Sequence, residues 1–381
     1  ATVRVRNPRY GAPSQAIGRL ARAMTRSLPA SVETFTIIPV VRGMAMSAIT
    51  VSRSDLERLE HEAASEMLPR TQITDAFGMA PKPDEGIYPR FSWAISPYLN
   101  FSVFDPDNPL RADVGIRGSA KYEITPNLIL SGSVTKKLGG DLDSITRQDK
   151  SNLPRVRTDR AQYSDQGDPA IEYLQIAHYG RPAKDIYSRV SLGYLETMYA
   201  GASAEVLWKP TDSRLAFGAE LNYVLRRDFD QLFGIQTMDT TDPVSGAVRT
   251  IPNLNGHVSA YYSFGNGFHG QLDVGRYLAE DYGATVSLDR EFANGWRVGA
   301  YATMTNASFE DFGEGSFDKG LRFTIPLATF GGTPSRVAND INIQSLTRDG
   351  GARLNVNGRL YEQVRDYHKP DVVNSWGRFW R

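Results

Sequence analysis

The chain has 381 residues, 43 basic against 43 acidic for a net charge of zero, no cysteine, and a mean hydropathy of −0.37. That length suits two domains, or one large barrel with a small companion; the balanced charge gives no reason to expect nucleic acid, and missing thiols exclude disulfides and thiolate metal sites. No apolar run reaches the roughly 20 residues of a membrane helix, which leaves a soluble protein or a membrane protein built of strands.

Residues 1–75 predict a small α+β domain of order β-α-β-β-α. Residues 2–6 alternate like a short strand. Pro13-Ser14-Gln15 opens a helix whose Ile17, Leu20, Ala21, Met24 and Leu28 share one face. The β-branched runs 32–40 and 44–52, joined near Arg42-Gly43, predict a hairpin. Ser54-Asp55-Leu56-Glu57 is a capping-box pattern, so a second helix should start there and run to about Met67. All ten basic residues of this part are Arg, and the plain reading is a solvated surface. Ala1-Thr2-Val3-Arg4 lacks the apolar core of a signal sequence, so export would require a longer precursor. Residues 76–87, with Pro81, Pro83 and Gly86, read as a linker.

From 88 to 328 the dominant period is two. In Gly283-Ala284-Thr285-Val286-Ser287-Leu288-Asp289 the apolar residues alternate with small polar or charged ones, so a strand there has one apolar and one wet face. Trp93, Ile95, Leu99 and Phe101 repeat the pattern against Ser92, Ser96, Asn100 and Ser102. Val114, Ile116, Ala120 and Tyr122 do so against Asp113, Arg117, Ser119, Lys121 and Glu123. Leu128, Leu130 and Val134 mark a third strand. Further strands read at about 171–179, 185–196, 202–209 and 215–226, then from near His257, Phe268, Tyr282, Trp296 and Ser316. The wet faces are too polar for a packed core, so the apolar faces should look outward into lipid. The expected fold is a transmembrane antiparallel β-barrel preceded by the α+β domain.

Short turns fall at Ile124-Thr125-Pro126-Asn127, 180–184, 210–213, Gly265-Asn266-Gly267 and Ala293-Asn294-Gly295, at every second connection. The long connections, about 138–170 and 227–255, fall at the other parity. Alternate connections of an antiparallel barrel share an end, so short turns gather at one end and long loops at the other. That matches an outer-membrane barrel with residues 1–75 on the periplasmic side. Residues 329–381 should form a last hairpin, from 341–346 and 354–360 around Asp349-Gly350-Gly351, or a periplasmic tail. The count is then 12 to 14 strands, even in either case.

The candidate lumen-facing residues are Arg117, Lys121, Glu123, Tyr187, Arg189, Glu205, Lys209, Glu220, Arg226, Tyr261, Asp273, Tyr277, Asp289, Arg297, Tyr301 and Arg322. One reading is a polar lining for a sugar polymer with the tyrosines as stacking surfaces; the plainer one is cross-strand pairing that braces the barrel. Mixed signs argue against a strongly ion-selective pore. The five histidines show no metal-binding spacing, so neither metal nor cofactor is expected. His257 with Ser259, and His269 with Ser287, are the pairs a hydrolase would need. In a Ser-rich chain without a Gly-x-Ser-x-Gly elbow such pairs arise by chance, and no enzyme is expected. Trp93, Trp208 and Trp296, with Tyr194 and Tyr223, suit interfacial belts. The aromatic end Trp376-Gly377-Arg378-Phe379-Trp380-Arg381 is not strongly strand-like.

Four stretches carry a resemblance: Gln271-Leu272-Asp273-Val274-Gly275-Arg276-Tyr277-Leu278, Ser287-Leu288-Asp289-Arg290-Glu291-Phe292 with Asn294-Gly295-Trp296, Gly313-Glu314-Gly315-Ser316-Phe317-Asp318-Lys319-Gly320, and Thr347-Arg348-Asp349-Gly350-Gly351-Ala352-Arg353-Leu354. Together with Tyr10, Gln15-Ala16-Ile17-Gly18-Arg19 and Arg53-Ser54-Asp55-Leu56, they resemble the YjbH/GfcD family of outer-membrane proteins tied to exopolysaccharide or capsule production. The resemblance implies a role in export or surface assembly of a polysaccharide; a non-conducting scaffold is the alternative, and the serine–histidine pairs leave an outer-membrane hydrolase behind both. The partners it implies are outer-membrane lipid or lipopolysaccharide, polysaccharide, and periplasmic or lipoprotein components of the same system. Family members are typically longer, so this chain looks like their C-terminal part, and a separate chain equivalent to their front half is a further partner. The family supplies no catalytic residues.

Overall fold

The computed structural model describes residues 1–79, 90–103, 108–144, 153–236, 252–308, 317–326, 338–344 and 349–381, with 81, 86, 336 and two-residue strands at 240–241 and 248–249. Pro83 of the expected linker, Ser316 at the expected start of a strand, and Leu346, Thr347 and Arg348 lie outside the described residues.

The N-terminal elements are β1 (Thr2–Val5), α1 (Pro13–Ser27), β2 (Thr34–Val41), β3 (Met44–Ala45), β4 (Ser47–Ser52), α2 (Arg53–Leu59), α3 (Ala64–Met67) and β5 (Gln72–Asp75). Their sheet has the order β1-β2-β4-β5, with β1 parallel to β2, and β3 pairs with β2. The hairpin tip carries positive φ at both Arg42 and Gly43, as a two-residue turn between twisted strands requires. A Cβ on Gly43 would sit 2.8 Å from the backbone of Pro126, so this tip abuts a short turn of the large sheet. The expected second helix is broken. Its cap is Ser52, whose Oγ accepts from the Asp55 amide at 3.2 Å, two residues before the predicted box, and α2 ends at Leu59 before α3 begins.

The large sheet has thirteen strands in an unbroken antiparallel meander. They are β6 (Phe91–Val103), β7 (Leu110–Thr125), β8 (Leu128–Gly140), β9 (Ala170–Ala183), β10 (Ile186–Tyr194), β11 (Tyr199–Trp208) and β12 (Leu215–Arg226). After the small hairpin β13 (Thr240–Thr241) and β14 (Val248–Arg249), they continue as β15 (Asn253–Gly265), β16 (Phe268–Arg276), β17 (Tyr282–Glu291), β18 (Arg297–Thr305), β19 (Asp318–Pro326) and β20 (Ala338–Gln344). α4 (Arg160–Gln166) lies in the long connection between β8 and β9.

The sheet curls into a nearly closed barrel whose polarity is inside out. Outward residues such as Trp93, Leu221, Val258, Val286 and Leu288 are exposed, while inward Arg189, Ser203, Asn222 and Asp273 are buried. Period-two sequence enforces this: each strand's apolar face can point only one way once its polar face lines the interior.

Two expectations are corrected. Among the described residues the sheet has thirteen strands, inside the expected range of 12 to 14 but odd rather than even. The strand expected at 354–360 does not form: 352–356 has no regular secondary structure, 357–358 is a turn, and the segment lies inside the barrel without joining the sheet. The chain then forms α5 (Leu360–Val364) and α6 (Lys369–Asn374).

Candidate functional site

The interior is occupied by the chain's own C-terminus. At the long-loop end, Asp349 accepts from the amides of Val156 and Arg157, both at 2.8 Å, and from Thr158 Oγ1 at 2.9 Å. Gly351 N–H donates to Asp281 at 2.8 Å, and Leu278 N–H to the Ala352 carbonyl at 2.9 Å. The tail then descends. Leu354 and Val356 pack against Tyr199, Val224 and Leu278, which explains their alternation with Asn355 and Asn357: one face meets the wall and the other looks across the lumen.

Midway, charges lock it. Arg359 makes a forked bond to Glu220, at 2.8 and 3.0 Å, and Arg353 reaches Asp273 at 2.9 Å. Arg189, with no exposed surface, donates to Glu205 at 3.0 Å and to Ser191 and Ser203. Glu205 in turn accepts the Leu360 amide at 3.0 Å. These pairs survive burial because every carboxylate has more than one donor; a lone buried ion would not.

Lower down, Tyr361 stacks on Tyr261 with centroids 4.0 Å apart and planes 11° apart. Arg365 binds Glu291 at 2.7 Å and His269 at 3.0 Å, while Arg297 binds Glu362 at 2.9 Å. Tyr187 Oη meets His368 Nε2 at 3.0 Å, and Ser47 Oγ donates to the Tyr367 carbonyl. The tail ends in the N-terminal core, where Trp376 and Phe379 pack with Ile17, Ala21 and Phe35. Gly18 of α1 is needed there, since a Cβ would collide with the Phe379 carbonyl. The aromatic terminus thus completes a core rather than ending a strand.

At this lower junction burial pushes the Asp371 carboxyl up to about 7 and pulls the Lys209 ammonium down to about 8. Lys209 Nζ donates to the Ser213 carbonyl at 2.6 Å.

The tail leaves part of the interior empty. A pocket of about 620 Å³ lies between its polar face and β16 to β20. Six arginines and five carboxylates line it, with Tyr301, Gln271, Asn342 and Gln344 among the neutral groups. Arg322 pairs with Asp289 at 3.0 Å, and Tyr301 Oη donates to Gln344 at 3.0 Å.

Of the sequence candidates, Asp273, Asp289, Arg297, Tyr301 and Arg322 meet at this pocket. Tyr187, Arg189, Glu205, Glu220 and Tyr261 contact the tail or brace residues that hold it. Arg117 pairs with Glu172 at 2.8 Å, Lys121 with Glu123 at 2.7 Å, and Glu123 with Arg6 of the N-terminal part at 2.7 Å. Arg226 binds Asp159 and the Tyr163 hydroxyl, and Tyr277 Oη meets Thr285 at 2.6 Å. His257 packs on Tyr277, while Ser259 donates to Asp273 rather than to the histidine. Sequence reasoning missed Asp349, Arg353, Arg359, Glu362 and Arg365, all on the tail. Their one-sign-per-partner match to the inward charges was visible only once the tail was placed. Among the described residues no group of three or more His, Asp or Glu is placed to hold a metal ion.

A wet-lined, apolar-skinned β-barrel stoppered by its own terminus defines the class. Residues 1–366 match the family described as "Exopolysaccharide biosynthesis protein YbjH". The chain is 34% identical over 370 residues to the "Uncharacterized lipoprotein YjbH" of Escherichia coli (strain K12), covering 94% of this chain and 51% of that relative. The chain therefore belongs to the YjbH exopolysaccharide biosynthesis family, and it spans about half the length of the curated relative it matches.

Proposed function

We propose that this chain is an outer-membrane barrel that serves exopolysaccharide assembly as a closed anchor, holding saccharide in its side pocket without conducting polymer through its centre. The observation that carries this is the tail from Asp349 to Arg381, which fills the barrel's middle and finishes in the N-terminal core. The exposed apolar skin supports membrane insertion, because contiguous surface of this kind is costly in water and suits lipid. The loop parity supports a periplasmic position for the N-terminal elements, where they would meet periplasmic or lipoprotein partners. The relative's printed description as a lipoprotein fits an envelope location. No catalysis is assigned: the two serine–histidine pairs raised by the sequence are engaged elsewhere or spent on the tail.

The test has two parts. Deleting the gene should reduce surface exopolysaccharide, and unchanged polysaccharide would refute the pathway role. Purified full chain in planar bilayers should show no steady porin-like conductance. A large open conductance would refute the closed-anchor reading.

A further inference from the structure

The weak line of the barrel runs between its first and last strands. Among the described residues, β6 pairs only with β7 and β20 only with β19. Thirteen strands in a meander leave both edge strands pointing the same way. Side by side they would be parallel, so the antiparallel ladder cannot continue across this seam. Single-chain bacterial barrels are even-numbered, which lets the ladder close.

A second observation is independent of strand parity. The inner face of β6 is uncovered at Ser92, Ala94 and Asn100, whereas Ser203 and Asn222 on the opposite wall are fully buried. Among the described residues the tail, running down the middle, bonds to walls from β9 to β18 and makes no bond to β6.

A third concerns the pocket. Asp340, Asn342 and Gln344 of β20 line it, and so does Arg160, whose Nη2 donates to Asn100 Oδ1 on β6 at 2.8 Å. The pocket therefore reaches one edge strand, β20, directly, and is joined to the other, β6, through Arg160. Outside the seam, β6 presents Trp93, Ile95 and Leu99, each more than 60% exposed.

We propose that the pocket is the head-group site of a glycolipid that enters through the seam. Its sugar lies among the arginine–carboxylate pairs and the Tyr301 ring, and its acyl chains rest on the apolar outer face of β6. The volume is within the roughly 300–1,000 Å³ of small-molecule sites, which suits a few sugar rings and not a folded polymer. Nearly balanced charge favours hydroxyl-rich head groups of low net charge. The partly exposed Arg322 guanidinium provides donors for a hydroxyl or a single phosphate. Lipid attachment is what a lateral opening serves; a free sugar would need only the long-loop end. This inference rests on the outer-membrane reading above.

The experiment uses full chain in nanodiscs, with a neutral diglycosyl diacylglycerol and its fully deacylated saccharide as probes and native mass spectrometry as readout. The absence of cysteine makes Asn100→Cys/Asn342→Cys a clean pair for linking the seam with a short bismaleimide. The glycolipid should bind, the deacylated saccharide at least tenfold more weakly, and the linked seam should cut glycolipid binding at least tenfold. Arg322→Gln, which leaves the seam alone, should weaken binding to a similar degree. Equal binding of both probes, unaffected by the link, would overturn lateral entry while sparing the pocket. Binding of neither, or a co-purified polypeptide strand captured at β6, would overturn the site itself. Failure to enter nanodiscs or to fractionate with outer membranes would instead refute the membrane reading.

Discussion

Glu220 is the residue on which the stopper's attachment should turn. Its carboxylate, 3% exposed, accepts a forked bond from Arg359 and faces Arg189 at 3.3 Å and Arg353 at 3.7 Å. A pair of charges about 4 Å apart interacts by about 4 kcal/mol at an effective dielectric of about 20. Desolvation offsets much of that, and the net value of a charged hydrogen bond is about 1.5–3 kcal/mol. Glu220→Gln removes the charge and leaves three guanidiniums facing an amide, so the expected cost is about 3–5 kcal/mol, the range for breaking a buried pair from one side. The readout is native-state hydrogen exchange at the Leu360 amide, which donates to Glu205 on the neighbouring strand. That amide should exchange at least a hundredfold faster in the variant. Arg359→Gln alone should do the same, and the double variant should lose less than the sum, with a coupling of about 2 kcal/mol. Strict additivity, or single costs under about 0.5 kcal/mol, would mean that the charges do not hold the tail.

Phe379→Ala should destabilise the N-terminal sheet by about 3–5 kcal/mol, because Phe379 is fully buried against residues of α1; a melting midpoint unchanged in the variant would refute this packing. Asp371 is protonated more readily in the folded chain than in the unfolded one, so stability is lost as pH rises from about 4 through about 7. Asp371→Asn should therefore melt higher than the wild type at pH 8 and equally at pH 4, and a gap that widens at low pH would reverse the sign. Leu288→Lys places a charge on the outward face of β17 and should lower refolding yield into lipid vesicles at a cost of about 2–4 kcal/mol, whereas equal yield would argue against a lipid-facing surface.

The barrel was legible because its signal is redundant. Each strand repeats the same alternation, so an error of a few residues at one end, such as His257 for the true start at Asn253, leaves the faces and the order intact. The helix at Pro13 was legible for a similar reason, since its proline and its apolar stripe agree. The second helix was misread at its cap. Two Ser-x-x-acid pairs overlap there, Ser52 to Asp55 and Ser54 to Glu57, and only tertiary packing selects the first. Among site residues, inward direction could be read from alternation, but partners could not. Glu220 and Asp273 lie far in sequence from Arg359 and Arg353, and nothing local joins them.

The tail shows why period two alone cannot decide membership of a sheet. Any extended segment with one face on a wall and the other on water alternates, whether or not its backbone pairs with neighbours. Leu354 and Val356 are spaced like the outward residues of β17, yet they are buried inside the barrel, while Val286 and Leu288 are exposed outside it. Charge was the discriminating feature. The polar positions between the tail's apolar residues include Arg353 and Arg359, which a fourteenth strand would have turned toward a lumen already holding Arg189, Arg226 and Arg322. As a stopper the same two arginines instead sit midway between walls, within reach of Glu220 and Asp273. An acid that lacks a cationic neighbour on its own hairpin is thus the mark to seek when asking whether a terminal segment belongs in the wall of a barrel or down its middle.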